Sequence, residues 1–173
     1  MKAPVKSSFT FILFFVPVFM ILFSTSNVFA QEQDTWSTDF AKAQTQAQEQ
    51  NKNILLNFSG SDWCGPCIKL HKEILTAPTF LQYASTNLVL INADFPRLKK
   101  NMQDKALKEQ NEKLADQYNK EGKFPLTILL DKNLKVLKVW DGYPHFTQDE
   151  ELVSPANEFI NQLKEIISGY TYH

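Results

Sequence analysis

The chain has 173 residues, 18 basic and 19 acidic side chains, a formal net charge of −1 and two cysteines. This nearly neutral charge gives no reason to expect nucleic acid as a partner. Residues 31–173 contain all 19 acidic and 16 of the basic side chains, a net charge of −3, and this length suits one domain with an ordinary core but is too short for two.

Segment 1–30 has the pattern of a secretory signal peptide. Two lysines precede an apolar run over 9–23, and a short polar stretch then leads to Ala30. This order predicts export and cleavage after Ala30, so the mature protein is expected to be periplasmic or secreted. The run has about 15 residues and contains Pro17, which makes it short for a membrane span of roughly 20 residues. An uncleaved membrane anchor is the alternative.

Residues 31–173 alternate between helical and strand-like patterns, which predicts an α/β fold. After a polar lead-in, Thr38 is expected to cap an amphipathic helix that runs to about Gln50. The later patterns predict, in order, a buried strand over 54–58, a helix from Cys64 to about Ala77, a helical turn over 79–84, a buried strand over 88–94, a helix over 105–119 ended by Gly122, strands over 124–130 and 134–140, and a helix that Ser154 caps and Gly169 closes.

The strand patterns also define the expected architecture. A short turn over 131–133 joins the last two strands, so they are expected to form an antiparallel hairpin. The earlier strands are continuously apolar, which suits a sheet covered on both faces. The sequence therefore predicts a mixed central β-sheet flanked by α-helices, with a C-terminal hairpin and helix.

The two cysteines lie three positions apart in Trp63-Cys64-Gly65-Pro66-Cys67, directly after a predicted strand and its loop. Two thiols at the start of a helix lie about one turn apart, close enough for one to displace the other from a mixed disulfide. Cys64 is the expected nucleophile, because a helix N-terminus stabilises a thiolate and lowers the thiol pKa from its ordinary value of about 8.5. Cys67 is expected to be more buried and to resolve the mixed disulfide.

A cysteine pair at this spacing also has structural and metal-binding uses. A structural disulfide between such close neighbours would stabilise little, because disulfide stabilisation grows with loop length. A four-cysteine zinc site lacks its second pair. His71 can share a helical face with Cys67, so a metal-binding or copper-delivery module using Cys64, Cys67 and His71 is an alternative function. A peptide-binding protein with an incidental dithiol is another.

The order of elements around the cysteine motif resembles that of the thioredoxin superfamily over essentially all of 31–173. The pentapeptide 63–67 is identical to that of thioredoxin. Residues 58–63 and the glutamine-rich first helix are more similar to exported thioredoxin-like proteins, including the periplasmic reductase domains of thiol-conducting membrane systems. The resemblance implies a thioredoxin fold and an exported thiol-disulfide oxidoreductase that needs no prosthetic group.

The resemblance also implies a direction and partners. The Gly-Pro dipeptide between the cysteines is similar to that of reducing members, so reduction of protein disulfides is favoured over disulfide oxidase or isomerase activity. The expected partners are disulfide-containing proteins and a redox partner such as a membrane thiol reductant system. The protein is expected to be a monomer, and to contact a membrane only if segment 1–30 is retained.

Substrate-binding roles are predicted for six positions, and the resemblance implies two of them, Pro125 and Gly142. Pro125 matches a cis-proline that faces the cysteines in such proteins, where the cis bond turns the preceding backbone outward to pair with a substrate peptide. Gly142 matches a glycine of the same groove. The alternatives are that Pro125 is an ordinary trans proline and that Gly142 is a turn glycine. Trp63 can shield the disulfide or simply pack. The full predicted set is Trp63, Gly65, Pro66, Phe124, Pro125 and Gly142.

The chain departs from the thioredoxin pattern at Asn57. Thioredoxins carry a buried aspartate there that helps to take the proton from the resolving cysteine, and an amide cannot act as a general base. Either resolution by Cys67 is slower, or a carboxylate such as Asp62 or Glu73 serves through water. Otherwise Asp62 is expected to cap a helix and Glu73 to be a solvated surface charge.

A basic stretch follows the second buried strand. Such a stretch is either a docking patch for an acidic partner or a solvated face. Its members are Arg97, Lys99, Lys100, Lys105 and Lys108.

Overall fold

The computed structural model describes residues 36–146 and 154–171. The predicted signal peptide, 1–30, lies outside these ranges. No helix within them is long and apolar enough to span a membrane. The main elements, in chain order, are β1 (Trp36–Ser37), α1 (Phe40–Gln50), β2 (Asn53–Ser59), α2 (Gly65–Leu70), α3 (Pro78–Asn87), β3 (Leu88–Asp94), α4 (Lys105–Tyr118), β4 (Leu126–Leu130), β5 (Val136–Asp141) and α5 (Pro155–Thr171).

The five strands of the described residues form one sheet in the order β1-β3-β2-β4-β5. β1, β3 and β2 run parallel, and β4 is antiparallel to both β2 and β5. β2 lies at the centre of the sheet, and all its residues except Asn53 are buried. The predicted mixed sheet, with its antiparallel hairpin and terminal helix, is confirmed.

Alternate residues of β2 pack into hydrophobic cores on opposite faces of the sheet. Leu55 packs with residues of α3 and α5, such as Phe159. Leu56 packs on the other face with residues of α1 and α4, such as Ala47 and Leu114. A register shift of one residue would exchange the two sets, so burial on both faces fixes the register of β2. The loop that follows β2 therefore starts from a rigid strand end.

The N-terminal part contains a strand that the sequence did not predict. β1 has only two residues, too few to show an alternating pattern, and the indole N–H of Trp36 donates to the Leu75 carbonyl (3.1 Å). The predicted cap of α1 is also wrong by one residue. Asp39 caps the helix instead of Thr38, because its carboxylate accepts the backbone N–H of Lys42 (3.0 Å).

The helix after the cysteines changes its hydrogen-bonding pattern part-way. α2 ends at Leu70, and a π-helical turn over His71–Leu75 continues from it. The hydroxyl and the backbone N–H of Thr76 both donate to the His71 carbonyl, at 2.9 and 3.0 Å, and close the turn. The expected stop near Ala77 is confirmed. The wider turn was not predicted, because apolar spacing over so few residues does not distinguish it from an α-helix.

Several other element ends differ from the prediction. The helical turn expected over 79–84 is the longer helix α3. α4 ends at Tyr118, one residue before the predicted end, and its C-cap is Asn119 rather than Gly122; the Asn119 side chain exchanges two hydrogen bonds of 2.8 Å with the backbone of the loop that follows. α5 continues through Gly169. β5 begins two residues later than predicted, because Leu134, with φ of 67°, still belongs to the turn.

Candidate active site

The two cysteines form a disulfide at the start of α2. Cys64 is the N-cap residue, Cys67 lies in the first turn, and their Cα atoms are 5.2 Å apart. The backbone N–H of Cys67 donates to Cys64 Sγ (3.2 Å). Unpaired N–H groups and the positive dipole end of a helix both stabilise negative charge. Cys64 is therefore the sulfur that is placed to carry a thiolate once the disulfide is reduced.

Both sulfur-bearing residues are nearly covered in this oxidised form. Cys64 is 5% exposed and Cys67 is 2% exposed. The predicted order of burial holds, but the contrast between the two cysteines is small. Only a small part of Cys64 is therefore open to solvent in this form.

Trp63 is held in place beside the disulfide by three neighbours. Its indole N–H donates to the Phe95 carbonyl (2.7 Å), and its ring meets Phe124 edge to face, with centroids 5.5 Å apart. The guanidinium carbon of Arg97 lies 3.6 Å from the ring centroid, a cation–π contact. The indole is half-buried. Trp63 thus packs firmly and still presents an apolar surface next to Cys64.

Gly60 leaves room for this indole. A Cβ atom there would overlap the ring, 2.6 Å from Trp63 Cζ2, and the ring is held by Phe95 and Phe124. We expect Gly60→Ala to lower the free energy of unfolding by about 1–3 kcal/mol, as overpacking does, in urea denaturation. Gly65→Ala is the matched control, because a Cβ at Gly65 meets nothing within 4 Å. Equal losses in the two variants would contradict the steric explanation.

The other predicted substrate-binding residues fall into two groups. The Phe124–Pro125 peptide is cis, Pro125 is buried, and the Gly142 backbone N–H donates to its carbonyl (2.9 Å). Gly142 has φ of 81°, a conformation that favours glycine. Gly65 and Pro66 are exposed in the first turn of α2. The predicted cis bond is present, and the role of these residues in binding substrate stays a prediction.

Glu73 has a specific partner next to this loop. The hydroxyl of Tyr143 donates to Glu73 Oε2 (2.7 Å), and the Lys69 ammonium lies 3.9 Å from the same oxygen and 4.6 Å from the tyrosine ring centroid. Burial, and then the Glu73 carboxylate, raise the pKa of Tyr143 above its ordinary value. This exposed cluster joins the helical segment after the cysteines to the loop that contains Gly142.

Asn57 lies within a buried polar row that crosses three strands. The Thr127 hydroxyl donates to Asn57 Oδ1 (3.1 Å), and Asn57 Nδ2 donates to Asn92 Oδ1 (3.0 Å). Thr127 and Asn92 are the direct neighbours of Asn57 on β4 and β3. Asn57, Asn92, Cys67 and His71 all line one cleft of about 370 Å³. An amide network thus occupies the side of the site where an acid was expected from the thioredoxin pattern.

Asn57→Asp is expected to destabilise the protein in a pH-dependent way. Burial would raise the pKa of the new carboxyl above its ordinary value of about 3.9, and the ionised form could not donate to Asn92. The unfolded chain ionises first as pH rises, so the loss of unfolding free energy is small near pH 4 and reaches about 1–3 kcal/mol at pH 7. Urea denaturation at both pH values measures this difference, with exposed Asn157→Asp as the control. A loss independent of pH would contradict the prediction.

The expectation that Asp62 caps a helix is wrong. Its carboxylate accepts hydrogen bonds from the backbone N–H groups of Arg97 and Leu98, both at 2.9 Å, and from Asn101 Nδ2 (3.0 Å). The Arg97 N–H has the largest effect on the pKa of Asp62 and lowers it; burial, the second-largest effect, opposes this, and the remaining donors lower the pKa further, so that it lies below its ordinary value. Cys64 caps α2 itself. Asp62 instead fixes the loop that follows β3.

The metal-binding alternative gains no support from the described residues. His71 and Cys67 line the same cleft. However, no group of three or more His, Cys, Asp or Glu side chains in 36–146 and 154–171 is arranged to hold a metal ion. The cysteines are joined to each other in this structure.

Comparison with known sequences places the protein in a family. Residues 35–132, more than half of the chain, match the thioredoxin-like family. The chain belongs to the thioredoxin-like family. A solved structure of a DsbH oxidoreductase superposes on this thioredoxin-like protein with a TM-score of 0.63 and 29% identity, over 77% of this chain and 83% of that one. The predicted thioredoxin fold is confirmed.

Two curated relatives come from Chlamydia pneumoniae. Disulfide bond reductase DsbH is 36% identical over 98 residues, which are 57% of this chain and 57% of DsbH. Thioredoxin-related protein DsbJ is 34% identical over 95 residues, which are 55% of this chain and 26% of DsbJ. The chain thus matches little more than half the length of one relative and about a quarter of the other.

Several contacts of this thioredoxin-like site were missed from the sequence. The hydrogen-bond partners of Trp63 and Asp62 lie more than 30 residues away, on the segment that follows β3, which has no helical or strand periodicity. Asn92 had a usable signal, because Asn57 and Asn92 each interrupt an otherwise apolar strand. Two polar residues that interrupt neighbouring apolar strands are expected to lie opposite each other, because each then satisfies the hydrogen-bonding groups of the other.

Proposed function

We propose that this protein is an exported thiol-disulfide oxidoreductase that reduces disulfides in other proteins. The observation that carries the proposal is the Cys64–Cys67 disulfide at the start of α2, with the Cys67 N–H donating to Cys64 Sγ. This geometry gives one sulfur a stabilised thiolate and puts the second within reach of it. The name of the relative DsbH, a disulfide bond reductase, supports the reducing direction.

The reaction begins with the reduced protein. The Cys64 thiolate attacks one sulfur of a substrate disulfide, so a Cys64–substrate disulfide forms and the other substrate sulfur leaves as a thiolate. The Cys67 thiolate then attacks Cys64 Sγ and releases the second substrate thiolate. Two electrons pass from the protein to the substrate, whose thiolates take up protons. The product state of the protein is the Cys64–Cys67 disulfide seen here.

The substrate is proposed to bind as an extended segment beside the cis peptide Phe124–Pro125. Two contacts support this placement, the hydrogen bond between Gly142 and Pro125 and the packing of Trp63 on Phe124. These contacts would connect the Phe124–Pro125 segment to the turn that carries the cysteines, where Gly65 and Pro66 are exposed, so that both would border one substrate groove. Backbone pairing along such a segment accepts many sequences, which suits a reductase of varied proteins.

The insulin reduction assay tests the proposed activity. Catalytic amounts of the protein are expected to accelerate the precipitation of insulin chains by dithiothreitol, and equilibration with glutathione is expected to give a potential more reducing than the glutathione couple. The glutathione equilibration also tests for an oxidase, which would have a strongly oxidising potential. An assay with a scrambled disulfide protein tests for an isomerase, which would rearrange its disulfides. No acceleration of insulin reduction would overturn the proposal.

Export and recycling complete the proposal. Segment 1–30 would direct the chain out of the cytoplasm, and 31–173 would be the working domain. A membrane thiol reductant system is the proposed source of electrons for the oxidised protein. N-terminal sequencing of the exported protein is expected to begin at Gln31. A protein that still begins at Met1 would indicate a retained anchor instead.

A further inference from the structure

The loop after β3 carries an exposed basic and apolar surface next to Trp63. We call residues 96–102 the basic loop. Its cations are Arg97, Lys99 and Lys100, all exposed. Leu98 and Met102 are also exposed, at 48% and 53%, although both are large apolar side chains. The basic loop contains no acidic residue, within a mature chain of net charge −3.

Hydrogen bonds hold the basic loop against the turn that carries the cysteines. Asp62, two residues before Cys64, accepts from the backbone of Arg97 and Leu98 and from the side chain of Asn101. A surface fixed by three hydrogen bonds to one carboxylate keeps its position relative to the disulfide. The basic loop is therefore a preorganised part of the border of the site.

The cations of the basic loop are exposed, whereas the nearby carboxylates are hydrogen-bonded. The two carboxylates at the base of the loop are both hydrogen-bonded to backbone N–H groups, Asp62 as above and Asp94 to Ser61 (2.8 Å). Arg97 lies over the Trp63 ring, and Lys99 and Lys100 are exposed. The loop that packs against Trp63 thus offers exposed cations and exposed apolar side chains to an approaching peptide.

We propose that the basic loop binds an acidic segment, containing an apolar residue, that flanks the disulfide of the protein substrate. This proposal rests on the proposed reductase function and names its substrate class. The cations of the loop pair with substrate carboxylates, and Leu98 and Met102 cover the apolar side chain. Complementary charge of this kind raises the rate of encounter and fixes the register of the bound segment.

Two model substrates of opposite charge test the proposal. They are disulfide-linked peptides with one common cysteine-containing core, flanked by glutamates and a leucine in one and by lysines and a leucine in the other. The full-length reduced protein is expected to reduce the acidic peptide with a kcat/KM about 5- to 10-fold higher at low ionic strength, and the preference is expected to shrink in high salt.

The double variant Lys99→Gln/Lys100→Gln is expected to bring the two peptides within about twofold of each other, because encounter depends on these charges. Its matched control is Lys132→Gln/Lys135→Gln, which removes the same charge at the turn between β4 and β5 and is expected to keep the preference. Equal rates for both peptides in the wild type, or an unchanged preference in the Lys99→Gln/Lys100→Gln variant, would overturn this proposal alone. Reduction of neither peptide would overturn the proposed reductase function and this inference with it.

Discussion

Cys64→Ser is expected to abolish catalysis of insulin reduction, with a loss of at least about a thousandfold. A serine hydroxyl is not ionised at neutral pH, and it cannot form the mixed disulfide through which electrons pass. The helix start that stabilises the Cys64 thiolate would remain, but no sulfur would occupy it. The measurement is the rate of insulin precipitation at fixed dithiothreitol.

The control for this variant is the reduced wild-type protein, because both lack the disulfide. Their thermal unfolding, followed by circular dichroism in the presence of reductant, is expected to be similar, since Cys64 belongs to neither of the two core clusters. If the folded Cys64→Ser protein still reduced insulin at the wild-type rate, Cys64 would not be the nucleophile.

Cys67→Ala is expected to stop the reaction after its first step. Cys64 would still attack the substrate disulfide, but no neighbouring sulfur would displace the bound product, so a mixed disulfide would accumulate. The expected result is stoichiometric loss of free Cys64 thiol and a covalent adduct of one protein with one substrate chain. Non-reducing electrophoresis and intact-mass spectrometry measure both quantities, and the adduct is expected to disappear on addition of dithiothreitol.

The double variant Cys64→Ser/Cys67→Ala provides the negative control and is expected to form no adduct. Adducts trapped from the compartment of the native protein would also identify its substrates. Sustained turnover of insulin by Cys67→Ala would show that an external thiol, and not Cys67, resolves the intermediate. In that case the buried position of Cys67 would have only a structural role.

The sequence predicted the larger elements because their patterns are long. β3 was predicted at its observed bounds, Leu88–Asp94, since a run of four apolar residues over 88–91, continued by Ala93, favours a buried strand. The cysteine motif was predicted to lie at a helix start, because two thiols there are about one turn apart and the helix N-terminus stabilises a thiolate. By contrast, β1 has two residues, and its position depends on pairing with β3 and on the contact of Trp36 with Leu75.

The parts of the site that escaped prediction depend on contacts between loops. The role of Asp62 requires the backbone N–H groups of residues 35 and 36 positions later, which no local pattern encodes. The need for glycine at position 60 becomes visible only when the indole of Trp63 is in place. Local propensity reports on neighbours in sequence, whereas these requirements come from neighbours in space.

Hydrogen bonds connect the turn that carries the cysteines to the end of β3 and to the loop that follows it. Ser61 donates to Asp94, Trp63 donates to the Phe95 carbonyl, and Asp62 accepts from the segment beyond. An insertion or deletion in the loop after β3 would therefore displace the turn that carries the cysteines, because these hydrogen bonds connect the two segments. Changes in the length of this loop are therefore expected to alter both the surface next to Trp63 and the surroundings of the two sulfurs.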